Sequence, residues 1–149
     1  MPKFAGAVTA ELMKTFLATE GMSTSARDVY IRGVPLEIDL IVPRRGQKPT
    51  FELVYEPKQV AAALEIKKSG SFGESSLLTI KSNFNRLRAL EVRCAYVAIE
   101  ERETYRWRAT RQNIGGFPCF TLCWHKGEDL IETQDWTRLL AFLHRCASA

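Results

Sequence analysis

In the stretch AAALEIKKSG (61–70), Glu65 and Lys67 place a carboxylate and an ammonium two positions apart at the end of an apolar run. On a strand such a pair projects from one face, its roots about 7 Å apart. Ile66 between them turns its side chain the other way and leaves its carbonyl oxygen at the same strand edge. Upstream, VPLEIDLIVP (34–43) alternates, predicting Leu36, Ile38, Leu40 and Val42 on one face and Glu37, Asp39 and Ile41 on the other. If the two strands are neighbours, Asp39, Glu65 and Lys67 converge on one pocket. Two carboxylates and a carbonyl are hard oxygen donors suited to Mg²⁺, which binds through one or two carboxylates plus a substrate phosphate. The ammonium can orient or deprotonate an attacking water, or stabilise charge building on the phosphate. The chemistry expected from the set is metal-assisted phosphodiester hydrolysis with Mg²⁺ or Mn²⁺.

An acid-x-Lys triplet alone says little, and the chain contains a second copy in Glu56-Pro57-Lys58. That copy straddles a proline in a turn-rich stretch, where no strand holds the two side chains parallel. The context of the EIK copy separates the two: an apolar strand before it and a strand-borne Asp upstream.

The elements that must position these groups are predicted as follows. A helix covers Thr9 to Glu20, with Thr9 as N-cap, Leu12, Met13, Phe16 and Leu17 at helical spacing, and Gly21 as a stop. A short strand around Asp28 to Arg32 closes at Gly33, and the 34–43 strand follows. A loop or hairpin occupies 44–58. AAALEIKK, apolar on both faces until its end, reads as a third strand lying centrally in its sheet. Then Leu77, Ile80, Phe84 and Leu87 mark a helix, CAYVAIE (94–100) a fourth strand and FPCFTLCW (117–124) a fifth. ERETYRWRATRQNIGG (101–116) reads as a short helix or a loop. DWTRLLAFLHRC (135–146) reads as a final helix capped by Asp135. The expectation is one α/β domain over 1–149, a mixed sheet flanked by helices.

EIDLIVP, then AAALEIKKSG, then an amphipathic helix resembles the PD-(D/E)XK nuclease superfamily, with its restriction-endonuclease-like αβββαβ core. Small size and general layout are similar to Holliday-junction resolvases and to stand-alone phage or defence nucleases. The resemblance implies Asp39 and Glu65 as metal ligands with the Ile66 carbonyl, Lys67 as the catalytic lysine, and Glu11 on the first helix as an auxiliary acid. Some members carry a Gln or Lys on the helix after the motif, and Lys81 occupies that region. Two departures are visible: Ile38 rather than Pro precedes Asp39, and the span between Asp39 and Glu65 is long. The implied activity is a DNA endonuclease, with a homodimer suited to cutting two strands. A non-cutting nucleic-acid or protein binding module, or an RNA-cleaving toxin-type nuclease, are the other readings of this fold.

The charge balance fits a polyanionic partner. Residues 1–66 carry eight Lys/Arg against eight Asp/Glu, so the whole net charge of +4 lies after Ile66. Lys68, Lys81, Arg86, Arg106, Arg108 and Arg111 are the expected nucleic-acid contacts, with Tyr105 and Trp107 interleaved for stacking. Cys119 and Cys123, four apart on a strand, stand about 13 Å apart, too far to share a zinc ion. The cysteines therefore read as free thiols of a reducing compartment. No nucleophile–histidine pairing or phosphate-cradling glycine motif is present. MPKFAGAVTAELMKTF lacks an apolar secretory core, and the expected location is cytoplasmic.

Overall fold

The computed structural model describes residues 2–69, 74–102 and 116–149, with side chains described over 8–68, 75–102 and 116–149. Its elements are α1 (Pro2–Thr19), β1 (Val29–Ile31), β2 (Glu37–Ile38), β3 (Leu40–Pro43), β4 (Val54–Tyr55), β5 (Val60–Ser69), α2 (Glu74–Ala89), β6 (Cys94–Arg102), β7 (Cys119–Lys126), β8 (Asp129–Glu132) and α3 (Asp135–Ser148). A short 3₁₀ turn, Pro57–Gln59, leads into β5.

The main sheet has the order β3-β5-β6-β7-β8. β3 and β8 run antiparallel to their neighbours, while β5, β6 and β7 run parallel. Parallel neighbours need a crossover, and α2 supplies it between β5 and β6. This puts β5 between two partners, where its apolar residues are covered on both faces. A second, three-stranded sheet of order β2-β1-β4 packs over one side.

Two cores result. On one face Met13 and Leu17 of α1 and Leu139, Leu143 and Cys146 of α3 pack on Leu40, Val42, Leu64, Ile66, Val97 and Phe120. On the other, Leu77, Ile80, Phe84 and Leu87 of α2, with Ile31 and Ile38 of the small sheet, pack on Ile41, Ala63, Tyr96 and Ala98. The expected class, a mixed sheet flanked by helices, is the one observed.

Several local expectations are corrected. The 34–43 segment is not one strand: it bends at Asp39, so β2 joins the small sheet and β3 the large one. Ile38 and Ile41 therefore share the α2-side core, while Leu40 and Val42 turn to the α1 side. The first helix begins at Pro2, where a missing N–H costs nothing, so Thr9 is a buried interior residue and not an N-cap. Asp135 does not cap α3. Its carboxylate accepts the Thr121 N–H (2.9 Å) and an Arg138 N–H (2.6 Å), tying the helix to β7. β8, whose residues are all exposed, has no counterpart among the predicted strands. All four cysteines are free; Cys94 and Cys146 are buried, Cys119 and Cys123 half-buried. No helix among the described residues is long and apolar enough to cross a membrane.

Candidate metal and catalytic site

The bend at Asp39 builds the site. The β3–β5 ladder ends at the Leu40–Leu64 pair, so beyond Leu64 the β3 edge of β5 has lost its strand partner. The Asp39 carboxylate takes over: its Oδ2 accepts the Ile66 N–H at 2.7 Å. In a strand a residue's N–H and C=O point to the same edge, so the Ile66 carbonyl faces the Asp39 side as well. The Ile66 side chain goes the other way, into the α1-side core.

The bend is itself held from outside. Ser25, buried, donates its N–H to the Ile41 carbonyl (2.8 Å) and accepts the Ile41 N–H on its Oγ (2.9 Å). Asp28, in the left-handed region at φ 57° that Asp tolerates, donates its N–H to the Asp39 carbonyl at 3.2 Å.

Glu65 and Lys67 alternate with Leu64 and Ile66 and so lie on the α2 face of β5, the face of Ala63. Asp39 stands close enough to both for their charges to act on its carboxyl. Lys67 Nζ stands 2.8 Å from Glu65 Oε1; the Glu65 side chain is 26% exposed and that of Lys67 48%. Asp39, Glu65, Ile66 and Lys67 are thus brought to one sheet edge.

The electrostatics follow from this crowding. Burial, then the Glu65 charge, push the Asp39 carboxyl up to about 6, against the pull of the Ile66 N–H and of Lys67. Asp28 adds a smaller push in the same direction. Burial works against the Lys67 ammonium, yet Glu65 and Asp39 outweigh it and hold its pKa above the ordinary lysine value. Two carboxylates share a half-buried place with one ammonium, an arrangement short of positive charge. Hard oxygens in that condition fit a divalent cation that keeps part of its water shell. Among the described residues no group of three His, Cys, Asp or Glu side chains gathers at one point, so the Ile66 carbonyl, water or substrate would complete the shell.

Glu11 is not placed with this set. It falls inside α1, exposed, with Arg27 Nε 3.6 Å from its Oε1. Arg27 adjoins Asp28, so Glu11 touches the segment that braces Asp39 rather than Asp39 itself. Lys68 and Arg86 are exposed and Lys81 is half-buried. Arg106, Arg108 and Arg111, with Tyr105 and Trp107, lie outside the described residues.

One residue missed by sequence reasoning is Asn83. With Leu36, Ile38 and Phe84 it lines a small crevice against Glu65. At 100° per residue, Asn83 and Lys81 flank the buried stripe of α2 on opposite sides, and the Asn83 flank is the one facing Glu65. Helical spacing alone could have narrowed the choice to these two.

The sequence matches no protein-family model and no curated protein. Among solved structures the chain is similar to NucC of P. aeruginosa ATCC27853 in its cAAA-bound form, at a TM-score of 0.62 and 12% identity, covering 98% of this chain and 81% of that one. At that identity the likeness bears on the fold alone: the α/β layering described above is similar to that of NucC.

Proposed function

We propose that this chain is a divalent-metal-dependent nuclease that hydrolyses phosphodiester bonds in DNA. The observation carrying the reading is the Asp39 carboxylate, anchored on the Ile66 N–H and facing the Glu65–Lys67 pair across the end of β5. The NucC-like fold supports a nuclease-type role.

Asp39, Glu65 and the Ile66 carbonyl would hold Mg²⁺ or Mn²⁺. Bound there, the cation would polarise a phosphoryl oxygen and acidify its water. With no metal bound, the carboxylates beside Lys67 hold its pKa above the ordinary lysine value. As an ammonium it would orient the attacking water or steady charge on the phosphate. Asn83 can fix the Glu65 carboxylate from the α2 side. Glu11 would act at one remove, by holding Arg27 and the segment that braces Asp39. Hydrolysis would be in-line, without a covalent intermediate, and a homodimer would place two such edges on a duplex. Lys68, Lys81, Arg86 and the arginines of 103–115 would contact the phosphate backbone.

Plasmid, single-stranded DNA and tRNA, each incubated with Mg²⁺, Mn²⁺ or EDTA, test the proposal. Metal-dependent cutting of DNA is expected. Cutting of tRNA alone would move the substrate to RNA, and no cutting with either metal would leave a binding module. Lys67→Ala should abolish turnover while DNA affinity stays near wild type; unchanged turnover would remove the mechanism.

A further inference from the structure

A second concavity lies at the other end of the β3–β5 pair. Arg44 follows β3 and Gln59 precedes β5, whereas Asp39 and Glu65 mark the opposite end, about 17 Å away at the rise of a strand. The concavity holds about 720 Å³, within the range of small-molecule sites. Met22, Val42 and Tyr55, all buried, contribute an apolar floor, and Arg44, Arg45 and Lys48 contribute charge. No Asp or Glu is among its described lining residues, and none of the three cations pairs with an Asp or Glu side chain among the described residues.

The loop carrying these cations is held in shape. Gln59 gathers it: the Arg44 N–H donates to the Gln59 carbonyl (2.8 Å), and Gln59 Nε2 donates to the Lys48 carbonyl (2.9 Å). Gln59 Oε1 accepts from Thr50 Oγ1 (3.1 Å) and from the Glu56 N–H (2.8 Å). Gln47 closes a turn onto the Arg44 carbonyl (2.9 Å), and Gly46 supplies the φ of +76° that this turn needs. One Arg44 N–H is spent on the Ala149 carbonyl at 2.6 Å, which fixes the guanidinium and leaves its other donors. Three like charges on a pinned loop over an apolar floor, with no Asp or Glu side chain among the lining residues, suit an anionic ligand.

We propose that this cavity binds a phosphate ester of nucleotide size, with Arg44, Arg45 and Lys48 on the phosphate and the floor formed by Met22, Val42 and Tyr55 against the body of the ligand. A planar guanidinium pairs two-pronged with phosphate oxygens, and three cations match a dianion better than a single carboxylate.

Calorimetric titration with AMP, adenosine and pyrophosphate tests this. AMP should bind more tightly than either of the others, since each lacks one half of the recognised chemistry. The Arg45→Glu/Lys48→Glu double variant, changed only at exposed side chains, should lose about tenfold or more of AMP affinity. Gln59→Ala should weaken binding by unpinning the loop, and Asp39→Asn should leave it unchanged, which separates this site from the proposed nuclease centre. Adenosine binding as well as AMP, or full AMP affinity in the double variant, would overturn the proposal. So would a double variant that loses duplex DNA affinity in a protein that never binds AMP, because the loop would then belong to a nucleic-acid track.

Discussion

At the scale of single residues, Asp39 is a carboxyl that the fold makes uncomfortable. Its folded value of about 6 exceeds the ordinary 3.8 because burial and the Glu65 charge both penalise its ionised form. The folded state therefore binds more protons than the unfolded chain between those values, and stability falls as pH rises through that window. Ionised Asp39 costs its full amount only above the folded value. Asp39→Asn keeps an oxygen to accept the Ile66 N–H and removes the charge. In EDTA it should raise Tm by several degrees above about pH 7, and the gain should shrink towards zero near about pH 4. A metal held by Asp39, as proposed, would compete with that same proton, so Mn²⁺ should raise the wild-type Tm more above about pH 7 than near about pH 5. The variant should gain little from Mn²⁺ at either pH. Thermal melts across pH, with and without Mn²⁺, read all of these. An Asp39→Asn protein no more stable than wild type at high pH would mean the two carboxyls do not crowd each other.

At the scale of elements, the site depends on a strand that breaks where it does. Ser25 holds the break with two bonds to Ile41, one of them through its buried hydroxyl. Ser25→Ala leaves the Ile41 N–H buried without an acceptor, which should cost about 1–3 kcal/mol in denaturant unfolding. It should also weaken Mn²⁺ binding without touching any ligand, because β3 then loses its outer brace. Much of this layer is legible in the sequence. β5, β6 and β7 announce themselves as continuous apolar runs, and α2 as a clean helical stripe, because each is buried on the surfaces its pattern marks. The bend at Asp39 is not legible. Alternation through Ile38, Leu40 and Val42 looks unbroken, yet one bent residue sends Ile38 to one core and its two successors to the other. β8 escapes for a different reason: with every side chain exposed, Asp129–Glu132 carries no in–out pattern to read. That Asp39 would meet Glu65 and Lys67 is legible despite the misread bend, because β3 still pairs with β5 and brings Asp39 to the same edge. Glu11 reads as an early-helix acid only while the helix is thought to begin near Thr9. Starting at Pro2, the helix carries it on the far side of the sheet from Glu65.

At the scale of the molecule, two charged regions stand at opposite ends of the β3–β5 pair, and salt can tell them apart. A site that tracks a duplex neutralises phosphates and releases their counterions, so log K falls linearly with log salt by about 0.9 for each phosphate neutralised. Lys68 follows Lys67 directly on β5, and Lys81 lies in the N-terminal half of α2, which begins at that end of the sheet. Lys68→Ala and Lys81→Ala should therefore each flatten the salt dependence of DNA binding by about 0.9, and the pair together by about twice that. Arg45 and Lys48 sit at the far end, on a pinned loop beside a half-open concavity. Their double substitution should lower DNA affinity slightly through the loss of overall positive charge, and leave the slope alone. Fluorescence anisotropy with a labelled duplex across a salt series in EDTA, on an Asp39→Asn background, measures each slope. A slope that drops with Arg45 and Lys48 but holds with Lys68 and Lys81 would put the duplex on the wrong end of the sheet for Glu65 to reach a phosphate. The nuclease reading would fail there on geometry, whatever the metal did.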